Sequence, residues 1–244
     1  MRWTIKPKPK QEDIGILANE LQVDDLVAQL LLQRGITTFV EAKSFFRPQL
    51  SELHGTTAVA LFSSYLLSYY PNVATYIPDR YDEGYGVSFK GIDFAEDNGF
   101  SLIVALDCGV KAIDKVDYAK EKNIDFIICD HHRPGTILPN AIAVLDPKRK
   151  DCSYPYDELC GCGVGFKLIQ ALGSRRGETI DDLVYYLDLV ATAIGADIVP
   201  ITGENRILAY YGLQVINRQP RIGFKAIIDQ LNKKELTITD VVFI

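Results

Sequence analysis

The sequence predicts an α/β fold, a doubly wound and mainly parallel sheet with a small helical appendage before it and a helical part after it. Three observations carry this. Short apolar runs rich in β-branched residues, such as Ser101 to Leu106 and Ile124 to Cys129, alternate with stretches of helical periodicity. These runs are apolar almost throughout rather than alternating, as strands buried on both faces of a parallel sheet are. Each ends in a carboxylate, at the edge where open α/β sheets gather their ligands.

The bulk numbers set limits. At 244 residues the chain is long enough for one large domain or a domain plus an appendage. A hydrophobic content of 48% and a charged content of 24% describe an ordinary globular protein. A net charge of -6, from 26 basic and 32 acidic residues, excludes a global basic field, although a local basic groove is enough to attract phosphates. Met1 to Lys10 holds charges and prolines but no apolar signal core, and no later run approaches a membrane span, so a cytoplasmic chain with no membrane contact is expected. Cys108, Cys129, Cys152, Cys160 and Cys162 form neither an even framework nor paired C-x-x-C motifs, which fits reduced thiols. Cys160-Gly161-Cys162 reads either as half a zinc site or, with Gly163 and Gly165, as a close-packed turn opening a helix; the second is expected.

Taken in order, residues 1–53 form the appendage and residues 54–244 the main domain. Ile16, Leu17, Leu21, Val27, Leu30, Leu31 and Leu32 recur at helical spacing until Gly35, and Thr38 is placed to cap a second short helix with Phe39, Ala42, Phe45 and Phe46 before Pro48. Thr57 to Tyr70 is helical in pattern and ends at Pro71. Asn72 to Ile77 reads as a strand, followed by a helix around Ile92 to Asn98 and a strand from Ser101 to Leu106. A helix from about Lys111 to Lys122 leads to the strand at Ile124, and Ala141 to Leu145 supplies another, so that βαβ units and a parallel sheet follow. Beyond Pro155 the periodicity is helical over Val164 to Leu172, Ile180 to Ile194, Asn205 to Ile216 and Ile222 to Leu231.

Asp79, Asp107, Asp130 and Asp146 therefore gather at one sheet edge, where like charges repel unless cations or arginines neutralise them. Asp130-His131-His132 directly follows a buried strand and offers carboxylate plus imidazole, the donors that hard and borderline cations take, so a metal or phosphate site is expected there. Gly109 lets the backbone turn sharply after Asp107 and approach a ligand. Asp79 beside Arg80 and Asp146 before Pro147 are open to two readings each, turn former or ligand. Asp197 stands alone among apolar neighbours and needs a partner or a capping role.

Leu106-Asp107-Cys108-Gly109, Asp130-His131-His132, Gly161-Cys162-Gly163-Val164-Gly165-Phe166-Lys167 and Gly195-Ala196-Asp197-Ile198-Val199-Pro200 resemble, in order, the motifs of the DHH phosphoesterase superfamily. Ile77-Pro78-Asp79-Arg80 with Glu83-Gly84-Tyr85-Gly86, Gly203-Glu204-Asn205-Arg206, and Gln33-Arg34-Gly35-Ile36 are similar to its single-strand-specific DNA exonucleases. The resemblance implies a two-metal site taking Mn2+ or Mg2+, with Asp107 bridging, His131 and Asp197 as ligands, Asp130 in support and His132 on the phosphate. It implies 5′ to 3′ hydrolysis of single-stranded DNA in repair and recombination. Arg80, Tyr81 and Tyr85 are the candidate substrate contacts, the tyrosines as stacking platforms for unpaired bases.

One motif departs from the pattern. Members carry a strand ending in Asp-x-Asp-x-Asp-Gly before the helix that starts here near Thr57, whereas this chain has Leu53-His54-Gly55-Thr56-Thr57. The expectation is a segment missing beside His54, showing as a break in the chain rather than a closed gap, because a parallel sheet without a central strand exposes apolar helix faces. The chain then reads as a catalytic-domain fragment lacking that motif and a second substrate domain, and inactive without the motif. Two rivals remain: a phosphatase for small nucleotides or short oligonucleotides, and a metal-less scaffold binding DNA or replication partners.

Overall fold

The computed structural model describes residues 7–39, 42, 54–197 and 199–243. The chain divides into two compact units between residues 52 and 53. In the first, α1 (Gln11–Leu21) and α2 (Asp25–Leu32) pack Ile14, Leu17 and Ala18 against Ala28, Leu31, Ile36 and Ala42. Periodicity misplaces two residues: Ile16 and Leu30 are 61% and 43% exposed. In α1 the inward stripe is Ile14, Leu17 and Ala18, which leaves Ile16 outside, and Leu30 belongs to a second helix with its own phase, because Gln22 closes α1 in the left-handed conformation at φ 55°. Phe45, Phe46 and Pro48 of the expected second helix lie outside the described residues.

The second unit opens with α3 (His54–Leu67), which runs unbroken from His54 through Thr57, so the expected break does not fall between those residues. Leu53 lies outside the described residues. After α3 the stretch from residue 72 to 79 is irregular and not a strand, which corrects the strand expected over Asn72 to Ile77. An apolar run becomes a strand only when a neighbour takes its backbone N–H and C=O groups, and no described strand pairs with it.

Following α4 (Phe89–Asp97), β1 (Leu102–Leu106), α5 (Ile113–Glu121), β2 (Asp125–Cys129) and β3 (Ala143–Leu145) form a parallel sheet in the order β1-β2-β3. Strand alternation sorts the side chains onto two covered faces. Ile103, Ala105, Phe126, Ile128 and Val144 pack with Ile92 and Ala95 of α4 and Val116 and Ala119 of α5. Val104, Leu106, Ile127, Cys129 and Leu145 pack with α3 and with α6 (Gly161–Arg175) in the larger core. Helices on both faces make the sheet doubly wound.

The helix expected over Ile180 to Ile194 is divided into α7 (Ile180–Leu183), a 3-10 turn at Val184–Tyr186 and α8 (Leu187–Ala196). The division lies where α9 (Gly203–Arg218) crosses: a Cβ on Gly212 would sit 2.1 Å from the Leu187 carbonyl oxygen, so the two backbones touch there. Then come α10 (Ile222–Leu231) and α11 (Ile238–Phe243). No helix of the described residues is long and apolar enough to cross a membrane.

Candidate metal centre

The register Leu106↔Cys129↔Leu145 sets Asp107, Asp130 and Asp146 side by side just beyond the strand ends. The Asp107 N–H donates to the Cys129 carbonyl at 2.8 Å, and the Asp130 N–H donates to that of Leu145 at 3.0 Å, so the ladder continues into the site. Asp107 is buried and holds a left-handed backbone, φ 61°, which aspartate tolerates better than most residues. Gly161, the first residue of α6, lies against its carboxylate, and the positive end of the helix favours a negative group there.

Asp107 Oδ1 and Asp197 Oδ2 each lie 3.2 Å from His131 Nε2. Asp197 reaches this point from the C-terminal end of α8, where its N–H donates to the Ala193 carbonyl at 2.8 Å. Asp107 Oδ1 and both ring nitrogens of His131 are buried without a hydrogen-bond partner among the described residues. Asp107, His131 and His132 each offer a donor atom within 4.8 Å of the others. Buried carboxylates close together are costly unless a cation neutralises them, and a donor set of carboxylate oxygen and imidazole nitrogen fits Mn2+ or Mg2+. The residues present therefore fit the implied ions.

Asp130 is used differently. Its Oδ1 accepts from the His131 N–H at 2.8 Å and from His132 Nδ1 at 2.7 Å, and its Oδ2 accepts from the Val110 N–H at 2.9 Å. Burial pushes its carboxyl up, but the hydrogen bonds from His132 and Val110 outweigh this and hold it below the ordinary range. The same hydrogen bond raises His132 above the ordinary histidine range. His132, 47% exposed at its side chain, stands at the rim with its cationic form favoured.

Beside that rim the Tyr85 ring meets the His132 ring edge-on at 6.4 Å, the Tyr85 hydroxyl donates to the Asp107 carbonyl at 3.3 Å, and Arg80 lies 5.4 Å from the Tyr85 ring centre. Tyr81 is not brought into this group. Its side chain is exposed, and its N–H donates to Asp79 Oδ1. Asp79 accepts the Tyr81 and Asp82 N–H groups at 2.8 and 3.2 Å, which makes it a turn former. Glu83, to which the sequence motif assigned no role, holds this loop: its carboxylate accepts from Ser88, Tyr76 and the Asp79 N–H.

The cysteines are not among the donors grouped at this point. Cys160 caps α6, its Sγ accepting from the Gly163 N–H at 3.2 Å, as the close-packed turn requires. Burial pushes the Cys108 and Cys129 thiols up to about 12, which leaves them protonated and unreactive.

A doubly wound sheet that gathers buried carboxylates and an imidazole at its C-terminal edge defines an α/β domain with a candidate cation site. Residues 52–194 match the DHH family, N-terminal domain, and the chain belongs to that family. It is similar to the single-stranded-DNA-specific exonuclease RecJ of Bacillus subtilis strain 168, 35% identical over 262 aligned positions covering 93% of this chain and 32% of the relative. It is also similar to RecJ of Escherichia coli K12, 36% identical over 184 positions, covering 70% of this chain and 32% of the relative. The chain thus spans about a third (32%) of the length of these curated relatives. Among solved structures, exonuclease RecJ bound to manganese matches with a TM-score of 0.69 and 28% identity, covering 78% of this chain and 48% of that one. RecJ from Thermus thermophilus in complex with Mn2+ shares the fold, with a TM-score of 0.65 and 21% identity over 97% of this chain and 38% of that one. The 262 positions aligned to the Bacillus relative exceed the 244 residues of this chain, so that relative has positions with no counterpart here.

Proposed function

We propose that this domain is the catalytic part of a metal-dependent 5′ to 3′ exonuclease acting on single-stranded DNA, working in the cytoplasm in repair and recombination. The observation that carries it is the meeting of Asp107, His131 and Asp197 at one buried point, with His132 at its open rim. The manganese-bound relative supports Mn2+ or Mg2+ as the ions. Divalent cations supply activation of water and neutralisation of the phosphate. In this reading Asp107, His131 and Asp197 hold the ions, Asp130 fixes the His132 ring, and the His132 imidazolium contacts the scissile phosphate. Tyr85, with Arg80 beside it, receives the adjoining nucleotide by stacking. A groove of about 710 Å³ that begins at Arg133, the residue after His132, is lined by Lys148, Arg149 and Lys150 together with Asp151, Asp157 and Glu158, and those of its cations that are unpaired among the described residues can meet the strand's other phosphates.

A second reading, a metal-less scaffold that binds DNA, is favoured by one observation: no acidic strand precedes α3 among the described residues. One assay separates the two. In the full-length protein with manganese supplied, single-stranded DNA with a free 5′ end is expected to be degraded to mononucleotides while duplex is spared. His131→Ala loses activity that added manganese partly restores, whereas His132→Ala loses about 10²–10³ in turnover at any manganese concentration. Binding of the strand without cleavage would favour the scaffold, and equal cleavage of duplex would reject the exonuclease.

A further inference from the structure

His131 has two ring nitrogens, and only Nε2 faces the carboxylates of Asp107 and Asp197. Its Nδ1 is buried without a partner among the described residues. A ligand histidine ordinarily donates its other N–H to an outer acceptor, which fixes both the tautomer and the orientation of the ring. One nearby group is short of a donor. Asp146, on the loop leaving β3, is 4% exposed, and its Oδ2 likewise has no partner among the described residues. Its Oδ1 is already used, accepting from the Lys148 N–H at 2.8 Å, and this small turn fixes the side chain with Oδ2 left over. The charges of Asp146, Asp130 and His131 act on one another, while burial raises the Asp146 carboxyl above the ordinary range. Two buried groups, a donor and an acceptor, are thus left over at the same sheet edge, and each costs free energy if unsatisfied.

We propose that Asp146 is the positioning residue for His131, accepting its Nδ1–H through one water so that Nε2 is presented, unprotonated, to the cation held with Asp107 and Asp197. The inference rests on the cation reading above. It assigns the third sheet-edge carboxylate an outer role, distinct from ligation and from the part Asp130 plays for His132.

Asp146→Asn is the informative variant. The amide keeps the size of the side chain and the acceptor for Lys148, so the turn survives, but it then points an N–H₂ at His131 where an acceptor is needed. Titration calorimetry with manganese alone is expected to show affinity lowered about 10- to 100-fold, with the melting temperature of the metal-free protein unchanged or raised. A nuclear magnetic resonance measurement with magnesium in place of manganese separates positioning from a loss of negative charge: the His131 Nδ1–H signal is visible and slow to exchange in the unmutated chain and lost in Asp146→Asn. Wild-type affinity and a persisting Nδ1–H signal in the variant would overturn the inference. So would a weakened affinity with the Nδ1–H signal intact, which makes Asp146 a ligand or a remote charge. An unmutated chain that binds no manganese would overturn the cation reading itself, and the inference with it.

Discussion

A Cβ on Gly161 would lie 1.9 Å from Oδ1 of Asp107. That separation is far inside contact distance, so the carboxylate and the start of α6 share a space that only glycine leaves open. Gly161→Ala is expected to push the Asp107 carboxylate away from His131 and weaken manganese binding by about 10-fold or more, on the scale of a disturbed ligand shell. Calorimetry on the variant decides it, and wild-type affinity would show that Asp107 has room to spare.

The groove beside His132 makes a separate prediction. Lys148 is paired with Glu158 at 3.5 Å and Arg149 with Asp151 at 2.6 Å, but Arg133 and Lys150 make no ion pair among the described residues. If these two cations meet phosphates, Arg133→Ala and Lys150→Ala each weaken single-stranded DNA binding alike for every sequence. Each also lowers the slope of log affinity against log salt by about 0.7. Anisotropy titrations at several salt concentrations measure both, and an unchanged slope removes the residue from the strand's path.

Asp240 links stability to pH. Its hydrogen bond from Lys233, with those from the Thr237 N–H and hydroxyl, holds its carboxyl down to about 2. A depressed carboxyl stabilises the folded state fully above the range where an unfolded aspartate titrates, about pH 4, and the effect fades as pH falls toward the folded value. The melting-temperature gap between the unmutated protein and Asp240→Ala should hold from about pH 7 to 5, narrow below about 4 and close toward about 2. A gap independent of pH would mean that Asp240 contributes only as a helix cap for α11.

Much of the site was legible because its signals are local. The apolar run Ile124 to Cys129 marks the strand Asp125–Cys129, and Asp130, His131 and His132 follow it directly. Asp107 and Asp197 stood out through apolar neighbours and family motifs, and all of these sit where the sheet edge was expected. What stayed hidden depends on atoms distant in sequence. The stretch over Asn72 to Ile77 has strand composition, but pairing is decided by a neighbour. Ile16 and Leu30 have helical spacing, but they belong to two helices separated at Gln22, each with its own inward stripe. Asp79 and Asp146 read alike, and each accepts a backbone N–H two residues on; only burial, which leaves Oδ2 of Asp146 without a partner among the described residues, separates them. The contact between Gly161 and Asp107 has no sequence signal beyond a glycine before a helix.

The left-handed backbone of Asp107 sets folding and function at odds over one position. An L-residue there gives up roughly 1 kcal/mol, and burial beside another carboxylate adds to the cost. Asparagine tolerates the same backbone and carries no charge. Asp107→Asn is therefore expected to melt at a higher temperature than the unmutated protein when no metal is present, and to bind manganese poorly. Stability and cation binding thus pull this one position in opposite directions, so a gain in one is expected to be read as a loss in the other.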